Sequence, residues 1–424
     1  MALLAAKRSL PPRPFFLARG AILRALVSAR LGADFTKLWT ASAVSNIGDG
    51  VTMAAGPLLV ASITTNPALI GGAVFVQQLP WLLFALISGA YVDRLDRRKL
   101  VVAVNALRAA ALTALTLAVA TDTATVALVY AVFFLLGTGE TLADTAAGAF
   151  LPAIVAPDQL ASANARLMAT FTIANQFVAK PLGAWLFVIA AAAPFGVNAL
   201  TFAVAAALVA TIRPVPALPP AAPRRSLREE ITDGVRWLFG HRLLRTLAVS
   251  MGLANLAFCA AFATLVLYAR QRLGLSDLGF GFLLTTFAVG GLVGTVLAPR
   301  LQRIVGAGTL LRAGLVVEFV THVTLAITTT PLVAAAVLIV FGIHTMVWGV
   351  IVVTLRQRVV PAHLLGRVGS VYSLLDLGGA ALGSLLGGLL AGAWGLTTPF
   401  WAAAAVLALI AVIAWRPLRT ASVV

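Results

Sequence analysis

The chain has 424 residues, 61% of them hydrophobic and 11% charged, with a mean hydropathy of +1.00. Soluble domains carry about 25% charged residues, so too little polar surface remains here to face water, and the natural solvent is lipid. The net charge of +17 does not point to nucleic acid, because the basic residues lie in short loops between apolar runs, where such residues orient helices in a membrane.

The chain opens with a basic segment, 1–37, in which Pro11, Pro12 and Pro14 interrupt any signal-peptide core. Residues 21–33, with Arg24 and Arg30, are predicted to lie as an amphipathic helix on the membrane surface. A membrane span needs about 20 apolar residues. Such stretches occur near 38–62, 68–92, 100–120, 124–148, 167–190 and 195–212, and again near 246–269, 278–298, 309–328, 331–354, 369–392 and 397–415. The expected fold class is therefore an all-α integral membrane protein with twelve transmembrane helices. The expected domains are an N-terminal six-helix bundle at 38–212, a linker at 213–245, a C-terminal six-helix bundle at 246–415 and a tail at 416–424. The linker begins proline-rich, from Pro214 to Pro223, and continues as a charged helix from Ser226 to His241, with Ser226 and Glu229 spaced as a capping box.

Lysine and arginine fix the expected direction. With twelve spans, 27 of them fall on one side, and only Arg270 and Arg272 fall on the other; Arg108 and Lys180, inside spans, complete the 31. Positive loops face the cytoplasm, so both termini are expected there. An odd miscount would destroy the alternation, so the charges support the count independently. Alanine and arginine richness and short loops suggest a bacterial inner membrane.

The two halves echo each other at offsets near 200 residues: Asp93-Arg94-Leu95-Asp96-Arg97 with Pro299-Arg300-Leu301-Gln302-Arg303, Pro157-Asp158-Gln159-Leu160 with Pro361-Ala362-His363-Leu364, and Leu182-Gly183 with Leu382-Gly383. Repeated halves with a site between them are the organisation of alternating-access carriers.

Gly89-Ala90-Tyr91-Val92-Asp93-Arg94-Leu95-Asp96-Arg97-Arg98-Lys99 closes the second span. It resembles the signature loop of the major facilitator superfamily. Ser45-Asn46-Ile47-Gly48-Asp49, Leu79-Pro80, Ala163-Asn164-Ala165 and Leu364-Leu365-Gly366-Arg367-Val368 resemble its drug:proton antiporter branch, which includes macrolide and enterobactin exporters. Lys180-Pro181-Leu182-Gly183-Ala184 departs from that branch, with Lys180 in place of a glycine. The resemblance implies a monomeric secondary transporter whose partners are a small-molecule substrate, protons and membrane lipid. It also implies a gating latch built from Gly89, Asp93, Arg94, Arg97 and Arg98, with Asp93 facing the positive end of a helix in the other half.

Ionisable groups inside a membrane usually face a cavity or a partner. Asp49, Glu140, Glu318 and His322 are candidates for proton coupling; Asp49 reads equally as an acid tied to a nearby base. Glu318 and His322, four apart on one helix face, read as a proton relay or as a static pair. Asn46, Gln77, Gln78, Asp144, Lys180, His344, Trp348 and Asp376 are candidates for the substrate cavity. Lys180 would pair with Glu140 or attract an anionic group, Asp144 would face Arg94 or Arg108, and Arg108 would snorkel to the inner surface. Gly379, Gly383 and Gly387 read as a close-packing seam. Cys259 reads as packing, and as the only cysteine it excludes an internal disulfide. No catalytic constellation, metal spacing or ATP-binding loop is apparent, so neither enzyme activity nor a cofactor is expected.

Overall fold

The computed structural model describes residues 31–92, 95–156, 159–213, 227–361 and 364–422. Most of the expected surface helix at 21–33, Asp93 and Arg94 of the signature loop, and Ser226 of the capping box fall outside these residues. Among the described residues there are helices and no strands. Each of the twelve apolar stretches is helical. They form α1 (Ala33–Ile63), α2 (Pro67–Val92), α3 (Arg97–Ala120), α4 (Val126–Ile154), α5 and α6 (Ala193–Ala210). After the linker helix α7 (Leu227–Gly240) come α8 (Arg242–Phe262), α9 (Asp277–Val305), α10 (Ala307–Ile327), α11 (Pro331–Val359), α12 (Leu365–Trp394) and α13 (Thr398–Ala414). The fifth rod, α5, runs through Leu160–Thr170, a π-helical stretch Phe171–Ala179, and Lys180–Ile189. The π stretch ends beside Pro181, which has no N–H to offer the carbonyl one turn earlier, and a helix accommodates such a loss by widening.

Nine helices among the described residues are long and apolar enough to cross a membrane: α2, α3, α4, α6 and α8 to α12. The other three long rods are α1, which carries Asn46 and Asp49 in its apolar run, α5, which the π stretch divides, and the apolar 17-residue α13. Local chemistry sets the ends. Asp96 caps α3 by accepting from the N–H groups of Arg98 and Lys99, and Thr125 and Ser276 cap α4 and α9 in the same way. Large apolar side chains point outward, with Leu332 80% and Val412 77% exposed, as expected where the surroundings are lipid.

The packing repeats. In the first set α1 lies against α5 and α6, α2 against α4, and α3 against α4 and α6. In the second, α8 lies against α12 and α13, α9 against α11, and α10 against α11 and α13. Replacing each of α1 to α6 by its counterpart in α8 to α13 turns one pattern into the other. The two main contacts between the sets, α2 with α12 and α5 with α9, also exchange.

The seams are backbone-close. Gly379, Gly383 and Gly387 of α12 rest on the carbonyls of Gly252, Leu256 and Ala260 of α8, so a Cβ at any of the three would collide. Between the sets, Gly71 of α2 meets Ser384 and Gly388 of α12. This junction lies at the end opposite the arginine-rich loops. There Arg270 pairs with Asp277 at 2.7 Å and reaches the Ala61 carbonyl of α1 at 3.4 Å. Arg272 donates to the Ala326, Ile327 and Thr328 carbonyls that end α10. The two cations on the arginine-poor side are thus held by helix-terminal carbonyls and one acid. At the arginine-rich end α7 docks on α12, with Gly234 against the Arg367 backbone and Asp233 accepting from Arg367 at 3.1 Å.

Gly383→Leu is expected to lower stability by about 1–3 kcal/mol, the usual effect of overpacking, through the α8–α12 seam. Gly349→Ala, where a Cβ meets nothing within 4 Å, is expected to leave stability unchanged or slightly raised. Thermal unfolding of the detergent-solubilised protein distinguishes the two.

Candidate functional site

A cavity of about 500 Å³ lies inside the first helix set, toward the arginine-rich end. It is walled by α1, α3, α4, α5 and α6, and most of the wall is apolar, including Leu38, Val101, Leu151, Leu167, Met168 and Phe171. The polar part comes from Ser42, Ser45, Asn46, Asn105 and Asn164, and from four ionisable groups, Asp49, Arg108, Glu140 and Asp144. The heptad logic of α1 puts Asn46 and Asp49 one turn apart on the same face. Arg108 donates to Asp49 at 3.1 Å, and its guanidinium lies 3.9 Å from the centroid of the Phe202 ring. The arginine is 4% exposed. It does not snorkel to the surface, because Asp49 and the Phe202 face supply the partners that water would have supplied. Glu140 and Asp144 lie within electrostatic reach of the same guanidinium. Gly139, beside Glu140, leaves room for the Arg108 stem. Three acids therefore converge on one base in a largely apolar cavity.

The π stretch of α5 faces this site. Asn175 donates to the Asn46 carbonyl at 3.1 Å, and Trp39 of α1 donates to Thr170 at 2.8 Å. On α6, Asn198 donates to Thr52 at 2.7 Å. These buried amides tie α1 to its neighbours. Sequence reasoning did not select them, although each is a polar residue inside an apolar run, the same signal that found Asp49.

The second helix set has its own ionisable pair. Glu318 of α10 lies 3.0 Å from His344 Nε2 of α11, and the two side chains are 15% and 6% exposed. The expected Glu318–His322 relay is not formed by the carboxylate. His322 Nδ1 instead lies 2.8 Å from the Glu318 backbone carbonyl, and its Nε2 is buried with no hydrogen-bond partner. A histidine four residues along a helix readily bonds the carbonyl one turn back, while the carboxylate reaches across to α11. His344 and Trp348, one turn apart on α11, line a cavity of about 100 Å³ together with Glu318. Asp376 of α12 is held by Asn255 of α8, whose amide donates to both the carboxylate and the backbone carbonyl at 2.9 Å.

The remaining expected site residues are placed apart from these two cavities. Gln77, Gln78, Lys180 and Asp376 line neither. Gln78 Oε1 is buried without a hydrogen-bond partner, and the Gln77 carbonyl lies against Gly137 of α4. Lys180 is buried at the start of the last segment of α5, where Gly281 of α9 packs against Ala184. Of the signature loop, Gly89 lies near the end of α2, Arg97 opens α3, and Arg98 donates to the Ile212 carbonyl at 2.6 Å, bracing the end of α6. No group of three or more metal-ligating side chains occurs among the described residues.

Two repeated sets of packed apolar helices, each with buried ionisable pairs, define a multi-span transporter fold. The chain belongs to the transmembrane secretion effector family of major facilitator superfamily transporters, whose pattern matches residues 29–421. It is 24% identical over 368 residues to the enterobactin exporter EntS of Citrobacter koseri, covering 84% of this chain and 85% of that protein. It is likewise 24% identical over 367 residues to EntS of Escherichia coli. In fold it is similar to a bacterial homologue of the iron transporter ferroportin in its inward-facing state, with a TM-score of 0.72, 18% identity, and coverage of 91% of this chain and 98% of that one. The nucleoside transporter NupG gives a TM-score of 0.70 at 13% identity, over 92% of this chain and 99% of that one.

Arg108→Ala leaves three acids around an empty position, and removing one partner of a buried ion pair costs about 3–5 kcal/mol. Asp49→Asn in the same chain is expected to recover part of that loss. A double-mutant cycle read by thermal unfolding checks the coupling.

Proposed function

We propose that this chain exports a small amphipathic molecule across a bacterial plasma membrane by alternating access, in exchange for protons. It does so through twelve spans arranged as two six-helix halves, 38–212 and 246–415, with both termini and the arginine-rich loops in the cytoplasm. The observation that carries this reading is the convergence of Asp49, Glu140 and Asp144 on Arg108 in the wall of a largely apolar cavity of about 500 Å³. Pockets of roughly 300–1,000 Å³ suit drug-sized ligands, and an apolar wall with few polar groups suits an amphipathic one.

The chemistry follows from the charges. Arg108 can satisfy one acid fully, so Glu140 and Asp144 take up protons or a cationic group according to what the cavity holds. Asp49, released from or bound to Arg108, changes the tie between α1 and α3. Such a two-state contact can pass the protonation state on to helix packing. Asn46 and Asp144 contact the cargo, and Gln77, Gln78, Lys180 and Asp376 border its path. The halves meet at the arginine-poor end through Gly71, Gly388 and Arg270, which supports a cavity reached from the cytoplasm. Outward opening then requires that junction to part while the loop of Gly89, Asp93, Arg94, Arg97 and Arg98 closes the other end. The exporter relatives support the direction.

The test is proton movement in everted vesicles energised to acidify the lumen, with a pH-sensitive dye and a panel of lipophilic cations, macrolides and catecholate anions. A transported compound is expected to dissipate the gradient. Glu140→Gln is expected to reduce that response by about tenfold or more, a barrier change of at least 1.4 kcal/mol, with the protein still inserted. Flux of labelled compound without proton movement would leave an uncoupled facilitator on the same fold.

A further inference from the structure

The linker helix α7 has two unlike faces. One is spent on the protein: Gly234 lies against the Arg367 backbone of α12, Asp233 accepts from the Arg367 side chain at 3.1 Å, and Leu238 is buried. Its main packing partners are α12 and α8, both of the second set. The other face carries Thr232, Val235, Arg236 and Phe239, spaced as one helical stripe, and all four are exposed. Val235 and Phe239 keep 38% and 39% of their surface open. Scattered single apolar residues are ordinary on a surface that meets water. Here two of them flank an arginine on one stripe, at a place that the chain fixes.

The next helix sets that place. α8 is long and apolar enough to cross a membrane, and it starts at Arg242. Only His241, which caps α8, separates it from the end of α7 at Gly240. The C-terminal end of α7 therefore stands where α8 leaves the hydrocarbon, at headgroup depth. Trp237, half-buried, stacks on His241 there with ring centroids 5.7 Å apart, and amphipathic rings favour that depth. Charge narrows the partner. From Gly234 to Arg245 the chain holds three arginines, Arg236, Arg242 and Arg245, and no acid; the next acid after Asp233 is Asp277. All three arginines are exposed. Arg245 spends one donor on the Phe239 carbonyl near the end of α7, at 3.1 Å, and a guanidinium has five. Such a fork fits phosphate oxygens, often by two bonds at once.

We propose that the exposed face of α7, with Val235, Arg236 and Phe239 and the adjoining Arg242 and Arg245, is a seat for anionic phospholipids of the leaflet it borders. The arginines take the phosphodiester oxygens, and Val235 and Phe239 enter among the upper acyl carbons, as in helices that lie in the membrane interface. A zwitterionic headgroup offers the same phosphate, but its ammonium is repelled by the arginine cluster, so the anionic lipid is preferred. Asp233 and Arg367 give the contact a direction. A lipid held here is tied to α12 and α8, and so to the second helix set. The seat stands apart from both cavities and does not depend on what the chain exports.

The test uses the full chain in nanodiscs of phosphatidylcholine, alone or mixed with phosphatidylglycerol. Cys259 is the only cysteine, so Cys259→Ser with Val235→Cys carries one environment-sensitive fluorophore on the exposed face. With phosphatidylglycerol present its emission is expected to shift to the blue and to be quenched by brominated acyl chains. Both effects are expected to be smaller in phosphatidylcholine alone and to weaken with salt. Arg236→Gln is expected to lower the apparent affinity for phosphatidylglycerol by about fivefold, the fold-change of about 1 kcal/mol per arginine near an anionic surface. Arg358→Gln, at an exposed arginine in the last turn of α11, is the control and is expected to change nothing. Should the cysteine-substituted chain fail to fold, native mass spectrometry of the unlabelled protein carries the test. Arg236→Gln with Arg242→Gln is then expected to retain fewer phosphatidylglycerol molecules. An equal shift in phosphatidylcholine, or equal losses from Arg236→Gln and Arg358→Gln, overturns the seat. A label that stays in water in every lipid and is shielded only by a soluble cell extract assigns the face to a protein partner, and overturns it as well.

Discussion

Hydrocarbon offers no hydrogen bond, so every polar group placed inside the membrane must find its partner within the protein. That constraint organises the first helix set. Arg108 cannot be left alone on α3, and the nearest solution draws in Asp49 of α1, the Phe202 face of α6 and the acids of α4. One guanidinium thereby ties four helices to a common point. The cavity lies beside it, and its wall includes all four charged groups. The cavity wall and the structural tie share the same side chains, Asp49, Arg108, Glu140 and Asp144.

Between helices the opposite strategy prevails. Lipid tails are as apolar as leucine, so no hydrophobic drive presses helices together, and close backbone approach supplies the attraction instead. The ladder of Gly379, Gly383 and Gly387 against the carbonyls of α8 is such a contact. The α2–α12 junction at Gly71 and Gly388, a contact between the two sets, is backbone-close in the same way. Glycine thus serves both the packing within a set and the meeting of the two sets.

Nine of the helices were legible because each is an apolar run of membrane length, and basic loops punctuate the apolar runs. The glycine seam was legible for a similar reason, its four-residue spacing being local to one helix. Pairing was less legible. Glu318 and His322 are neighbours in sequence and on one helix face, yet the carboxylate pairs with His344, twenty-six residues away on α11. Arg108 lies about two turns into the expected third span, within reach of the surface for a long side chain, but Asp49 of α1 meets it at 3.1 Å. Both cases fail at the same step. Sequence periodicity tells which residues share a face and says nothing of what the next helix presents to that face. The π stretch of α5 was also hidden, since the apolar run that contains it has no local feature separating a widened helix from an ordinary one.

The Arg108–Asp49 pair has an electrical consequence. Its two charges lie 3.1 Å apart, so together they present no net charge to a field across the membrane. Moving an uncompensated charge through a potential of 100 mV involves about 2.3 kcal/mol. A helix shift that carries the pair as a unit is exempt from that term, whereas one that separates arginine from acid is not.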